Sequence, residues 1–327
     1  MYDGYRVEEE RQEGLTVSIN YKVGINMDKY LFCHEINNWD SWGKVYCSIE
    51  AFTPLVREIF RSEGLVFQPL SGCKPGTNAV FRAGDYIAKV FVPYDSGYDS
   101  LPDYKAELYA MERANMLGVS VPRVIAGGLI QDKYLFRYLI MEYVPGRTLG
   151  DRKPALSNAE KTDIGKKLRS IVNGWATDCG NFNGVDVISR TLDSKRWADA
   201  PSMLREEQKR YLQTLKKEQF VYVHGDLTED NLIIDDAGRL YVIDFADSLY
   251  APASYEDMAV ICDAFRFDPW FLKGYFGDMG SEEITERCIK GILCHEYGYQ
   301  VVKNIVGPVN DLDELRNRIS ALMSYPS

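Results

Sequence analysis

One segment constrains this chain more than any other: His224-Gly225-Asp226-Leu227-Thr228-Glu229-Asp230-Asn231, followed thirteen residues after Asn231 by Asp244. Between them lie the apolar runs Leu232-Ile233-Ile234 and Leu240-Tyr241-Val242-Ile243 around the turn Asp235-Asp236-Ala237-Gly238, a pattern that predicts a hairpin. A hairpin brings the chain back to where it left. Asp226 and Asn231, at the two ends of one loop, would then converge with Asp244 at the hairpin's exit. Three oxygen-bearing side chains so placed suit Mg²⁺, a hard cation that takes one or two carboxylates and completes its shell with phosphate oxygens and water.

The 327 residues suffice for one large domain or two lobes, and 46% hydrophobic with 26% charged residues is a globular balance. With 38 basic against 48 acidic side chains the net charge is −10, which repels phosphate backbones and anionic membranes. Neither nucleic acid nor a membrane is therefore an expected partner. Seven cysteines, an odd number without a CxxC pair, suit reduced thiols and a cytoplasmic location. No apolar run reaches the roughly 18–20 residues of a membrane span, and Glu8-Glu9-Glu10-Arg11 replaces the apolar core of an export signal.

Periodicity divides the chain into residues 1–48, an appendage of unknown role, a β-rich part over 49–144, and a mostly helical part over 145–327. Thr53 as N-cap and Pro54 at the first helical position predict a short helix to about Arg61, stopped by Gly64. Strand patterns follow from Val66 to Pro93, including a hairpin that turns at Arg82-Ala83-Gly84-Asp85. A helix is expected over 103–117 with Gly118 as its stop, then strands at 123–128 and 134–143. After Pro145-Gly146 helical signals dominate from Ser157 to about Lys217, broken at 180–184. Two more helices follow Ser281 and Asp311, the latter with Glu314 at capping-box spacing.

The order HxDxxxxN and then Asp resembles the catalytic loop and metal-binding aspartate of the protein-kinase-like superfamily. The resemblance implies that Asp226 aligns the attacking hydroxyl and takes its proton, while Asn231 and Asp244 hold Mg²⁺ on the nucleotide phosphates. Upstream, Lys89 in Ile87-Ala88-Lys89-Val90 resembles the strand lysine that contacts the α- and β-phosphates. Glu107 resembles its ion-pair partner, with Glu112 the competing residue. The loop Ser71–Asn78, with Gly72, Gly76 and Asn78, stands where the superfamily covers the phosphates, although it lacks GxGxxG spacing. Leu139–Gly146 resembles the hinge, whose backbone near Glu142 and Val144 would bind a purine edge, leaving ATP or GTP open. Asp257 resembles the aspartate that braces the catalytic loop.

About 78 residues separate Gly146 from His224, and Gly225 replaces the arginine of an HRD triplet. Both features resemble aminoglycoside phosphotransferases and choline kinases. This implies an α+β, bilobal protein-kinase-like fold with a β-rich N-lobe and a mostly helical C-lobe. It also implies Mg²⁺-dependent transfer of the γ-phosphoryl group of ATP or GTP to a small hydroxylated molecule. Cationic acceptors, such as aminoglycosides or amino alcohols, are favoured if the acidic residues of 245–290 line the pocket. Two alternatives stand beside it. Thr228 departs from the aminoglycoside group, and HGDLT also occurs in the small kinase of the tRNA-threonylcarbamoylation complex, which leaves open a protein-directed kinase or ATPase subunit. The other is a non-catalytic nucleotide-binding module, against which the intact set Lys89, Asp226, Asn231 and Asp244 argues. His34 and His295, each beside a cysteine, are read as structural.

Overall fold

The computed structural model describes residues 5–12, 15–22, 30–74 and 76–323. Residues 1–4, 13–14 and 23–29 of the N-terminal stretch, and Pro75 of the glycine-bearing loop, lie outside these. The chain forms two compact units, residues 1–105 with 122–144 and residues 106–121 with 145–327.

The first unit is built on a seven-stranded sheet. In chain order its elements are β1 (Tyr5–Gln12), β2 (Leu15–Lys22), α1 (Trp39–Gly43), α2 (Ile49–Ser62), β3 (Leu70–Gly72), β4 (Ala79–Ala83), β5 (Tyr86–Val90), α3 (Leu101–Met116), β6 (Val124–Gln131) and β7 (Leu135–Glu142). The unit boundary falls within α3. The sheet runs β1-β2-β6-β7-β5-β4-β3 and is antiparallel except where β2 meets β6. Alternation in Ala79–Ala83 buries Ala79, Phe81 and Ala83, and the turn to β5 needs only Gly84-Asp85, with Gly84 left-handed at φ 65°.

Helix α2 begins earlier than its sequence suggests. Ser48, not Thr53, is the N-cap, accepting from the Ala51 N–H, and Pro54 sits inside the helix. The apolar stripe decides this: Ala51, Phe52, Leu55, Val56, Ile59 and Phe60 all face the core, and that burial outweighs one lost hydrogen bond at Pro54. Residues 30–48 contribute to the same core. Phe32, Trp42, Phe52, Phe60, Phe81 and Phe136 are each at most 1% exposed, and the Phe32 ring lies 4.9 Å from Phe52 and 5.3 Å from Phe136. The Asp132 carboxylate accepts the Leu31 and Phe32 amides at 3.0 and 2.9 Å, and the Trp42 indole donates to Thr77 O at 2.9 Å.

The second unit contains β8 (Arg147–Thr148), α4 (Leu149–Arg152), α5 (Asn158–Trp175), α6 (Val187–Leu192), α7 (Ser202–Thr214), β9 (Val221–Val223), β10 (Leu232–Ile234), β11 (Leu240–Val242), β12 (Leu249–Ala251), α8 (Ser254–Met258), α9 (Pro269–Phe276), α10 (Ser281–Cys294), α11 (Gly298–Val301) and α12 (Leu312–Met323). A π-helical stretch, Ala259–Ala264, continues α8. The expected hairpin is β10–β11, with β8 added to its edge, and a separate ribbon pairs β9 with β12. The break at 180–184 carries Gly180 and Gly184, both at positive φ. Among the described residues no helix is long and apolar enough to cross a membrane.

Helices α5 and α9 touch backbone to backbone at Gly165 and Gly274. A Cβ on Gly274 would stand 2.1 Å from Thr162 O, and one on Gly165 would stand 2.3 Å from Phe271 O. Gly274→Ala is expected to lower stability by about 1–3 kcal/mol through overpacking, read as an earlier urea midpoint with an unchanged slope.

Candidate active site

The ribbon β9–β12 sets the site. It ends at Val223 and begins again at Leu249, so the loop that starts at His224 lies beside Asp247 and Ser248. Their approach is close: a Cβ on Gly225 would stand 2.3 Å from Asp247 O, and Gly225 has φ 85°. No L side chain fits both demands, which accounts physically for glycine at this position.

Three anchors then fix the loop. The Glu256 carboxylate, 1% exposed, accepts the His224 N–H at 2.6 Å and the Gly225 N–H at 3.3 Å. Burial pushes its carboxyl up to about 8 against the opposing pull of those amides. Glu256 therefore does what sequence reasoning gave to Asp257, whose carboxylate instead binds the Arg287 guanidinium at 2.8 Å. The His224 ring supplies the second anchor. Its Nδ1 accepts the Asp226 N–H at 3.3 Å, so Nε2 carries the proton and donates to Ile243 O at 3.1 Å. Third, the Ile243 N–H donates to Asn231 O at 3.0 Å. The residue before Asp244 is thus tied to both ends of the loop.

Asn231, 8% exposed, donates through Nδ2 to Asp226 O at 2.8 Å and to Asp226 Oδ2 at 2.9 Å. Burial, then the charges of Asp247 and Asp244, push the Asp226 carboxyl up to about 7, with the Asn231 hydrogen bond opposing. Asp244 is left-handed at φ 63°, a conformation that costs about 1–3 kcal/mol for a non-glycine residue and clusters at functional sites. Asp226, Asn231 and Asp244 are thus brought together as the spacing implied. Among the described residues no three His, Cys, Asp or Glu side chains form a metal cluster. The donors present are two carboxylates and Asn231 Oδ1, since its Nδ2 is committed to Asp226. That hard-oxygen set fits a divalent cation that draws its remaining ligands from phosphate and water.

The other expected residues are placed as follows. Lys89 lies in β5, 4% exposed, with its Nζ 5.3 Å from the Phe91 ring. Glu107 on α3 is 1% exposed, whereas the competing Glu112 is half-buried. At Gly72 and Gly76 neither a positive φ nor crowding demands glycine. Asn78 is buried, and its Oδ1 accepts the Val92 N–H at 3.2 Å, a bond that braces the strand end. The Glu142 N–H donates to Arg123 O and the Tyr143 N–H to Asp85 O. Both amides are thus used inside the first unit, and Val144 is buried.

Sequence reasoning assigned no role to His224 or Glu256 and did not find the β9–β12 ribbon. Three-residue strands leave little periodic signal, and adjacent carboxylates at 256 and 257 are indistinguishable until the helix phase is known. Glu256→Gln keeps the shape but replaces one acceptor by an N–H₂ donor facing an N–H. It is expected to cost about 1–3 kcal/mol, checked by chemical denaturation.

Residues 76–287, more than half of the chain, match the phosphotransferase enzyme family. No curated protein sequence matches. Among solved structures, the streptomycin–ATP ternary complex of APH(2'')-IIa aligns with TM-score 0.52 at 20% identity, covering 82% of this chain and 95% of that one. The ADP and hygromycin B complex of APH(4)-Ia aligns with TM-score 0.54 at 18% identity, covering 82% and 97%. The GDP complex of aminoglycoside 2'-phosphotransferase-IIIa gives TM-score 0.54 at 17% identity, covering 83% and 96%. At these identities the likeness establishes a shared, kinase-like fold. Taken with the sequence match over residues 76–287, it leads to one assignment: the chain belongs to the phosphotransferase enzyme family.

Proposed function

We propose that the protein transfers the γ-phosphoryl group of ATP or GTP to a hydroxyl of a small molecule, with Asp226 as the catalytic residue. The observation that carries this reading is the convergence of Asp226, Asn231 and Asp244 on one anchored loop and hairpin. Asn231 holds the Asp226 carboxylate through one oxygen, which leaves the other to accept a hydrogen bond from the acceptor hydroxyl and to orient its lone pair. Asn231 and Asp244 would hold Mg²⁺, which when bound offsets phosphate charge. The assignments of Lys89, Glu107, Gly72, Gly76, Asn78, Glu142 and Val144 to nucleotide binding rest on the sequence resemblance. A hydroxylated acceptor, a cytoplasmic setting, and no nucleic-acid or membrane partner complete the reading.

The test is product formation from Mg-ATP or Mg-GTP and a panel of aminoglycosides, amino alcohols, sugars and nucleosides, followed by mass spectrometry. A product heavier than one acceptor by a single phosphoryl group, made by the wild type and not by Asp226→Asn, is the expected outcome. Absence of any product despite Mg-nucleotide binding would turn the reading toward a macromolecular acceptor. Asp226→Asn is expected to lower turnover by about 10²–10⁴-fold with nucleotide affinity retained in calorimetry. Asp244→Ala is expected to weaken Mg-nucleotide binding itself by about tenfold or more, and full activity in either variant removes the assignment.

A further inference from the structure

The segment after α8 is strained beyond what closing a helix needs. Its π-helical turn ends with Phe265 N–H on Val260 O and Phe267 N–H on Ile261 O, and both Arg266 (φ 48°) and Phe267 (φ 60°) are left-handed. Such positions ordinarily carry glycine. For Phe267 the compensation is visible, since the ring is 6% exposed. Arg266 has none of that kind: its side chain is 59% exposed.

What Arg266 reaches is Glu229, in the loop between Asp226 and Asn231. Its guanidinium donates to Glu229 Oε1 at 3.1 Å, while Lys153 Nζ donates to Glu229 Oε2 at 3.3 Å and to Ala264 O at 3.0 Å. The Glu229 carbonyl accepts the Gly150 N–H at 3.2 Å, and a Cβ on Gly150 would stand 3.2 Å from Glu229 Cγ. One loop residue is therefore held at its backbone and at both carboxylate oxygens, from two elements distant in sequence. The Lys153 side chain, 17% exposed, also couples the loop to the π-helical turn through Ala264.

We propose that Lys153 and Arg266 are positioning residues that clamp Glu229 and thereby fix the Asp226–Asn231 loop for phosphoryl transfer; the inference rests on the reading of Asp226 given above. An ion pair as exposed as that of Arg266 contributes little to stability. The backbone strain at this position is thus matched by loop geometry and not by fold stability.

Arg266→Gly separates the two, because it removes the guanidinium and installs the residue that the left-handed backbone favours. Its thermal midpoint should equal or exceed that of the wild type. Amide hydrogen exchange across Leu227–Asn231 should nevertheless be faster, and hydrolysis of Mg-ATP with water in the acceptor's place, giving ADP and inorganic phosphate, should fall about tenfold with Mg-ADP affinity unchanged. Arg266→Lys, which still offers Glu229 a cation, should regain most of the loss. Wild-type exchange in the loop of Arg266→Gly overturns the clamp, as does wild-type turnover. A wild-type protein that binds no Mg-nucleotide would defeat the phosphotransferase reading instead, and the exchange comparison would still decide the clamp.

Discussion

The site depends on a single buried carboxylate. Glu256 receives the amides of His224 and Gly225, the two residues that carry the chain out of β9 into the loop. Burying a polar carboxyl without partners would be costly, and leaving two buried amides unpaired would cost several kcal/mol, on the order of 1–3 each. Each side of the contact makes the other tolerable. Because Glu256 sits in the first turn of α8, the helix and the loop stabilise each other through these two bonds. The left-handed turn at Gly225, the approach of Asp247 across the β9–β12 ribbon and the reach of His224 to Ile243 lie around the same anchor.

Around this anchor the protein collects charges that repel. Asp244, Asp247 and Asp263 all raise the carboxyl of Asp226, and Asp263 is itself raised, chiefly by burial. A stability-optimised core would not gather them, nor keep Asp244 and Arg266 in left-handed conformations. Local conflicts of this kind mark the places where a sequence serves chemistry at the expense of folding energy. Elsewhere the same unit follows ordinary rules, as in α5, where Ser157 and Glu160 form a reciprocal capping box.

What could be read from the sequence was what local physics determines. The β4–β5 and β10–β11 hairpins follow from alternation and a glycine-bearing turn, and the convergence of Asp226, Asn231 and Asp244 follows from the second of them. The start of α2 was misjudged because Thr-Pro is a strong local signal. The competing signal, a stripe from Ala51 to Phe60, gains its energy from a core that includes Phe32, Phe81 and Phe136, none of them neighbours in sequence. The same reason hid the role of residues 30–48, whose aromatic side chains show no period but fill a core. Glu256 escaped because its partners are backbone amides, which leave no trace in residue type.

The Trp42 indole on Thr77 O, with Asn78 on the Val92 amide, closes one end of the loop that follows β3. The other end is held where Cys73 N–H meets Val80 O. Fixing the backbone of a residue costs about 1–2 kcal/mol, and at Cys73, Thr77 and Asn78 these contacts offset that cost within the first unit. The stretch that contributes Trp42 therefore acts as a pre-organising splint. The ordering of both loop ends thus belongs to the folding of the first unit, set in place by an indole that lies some thirty-five residues earlier in the chain.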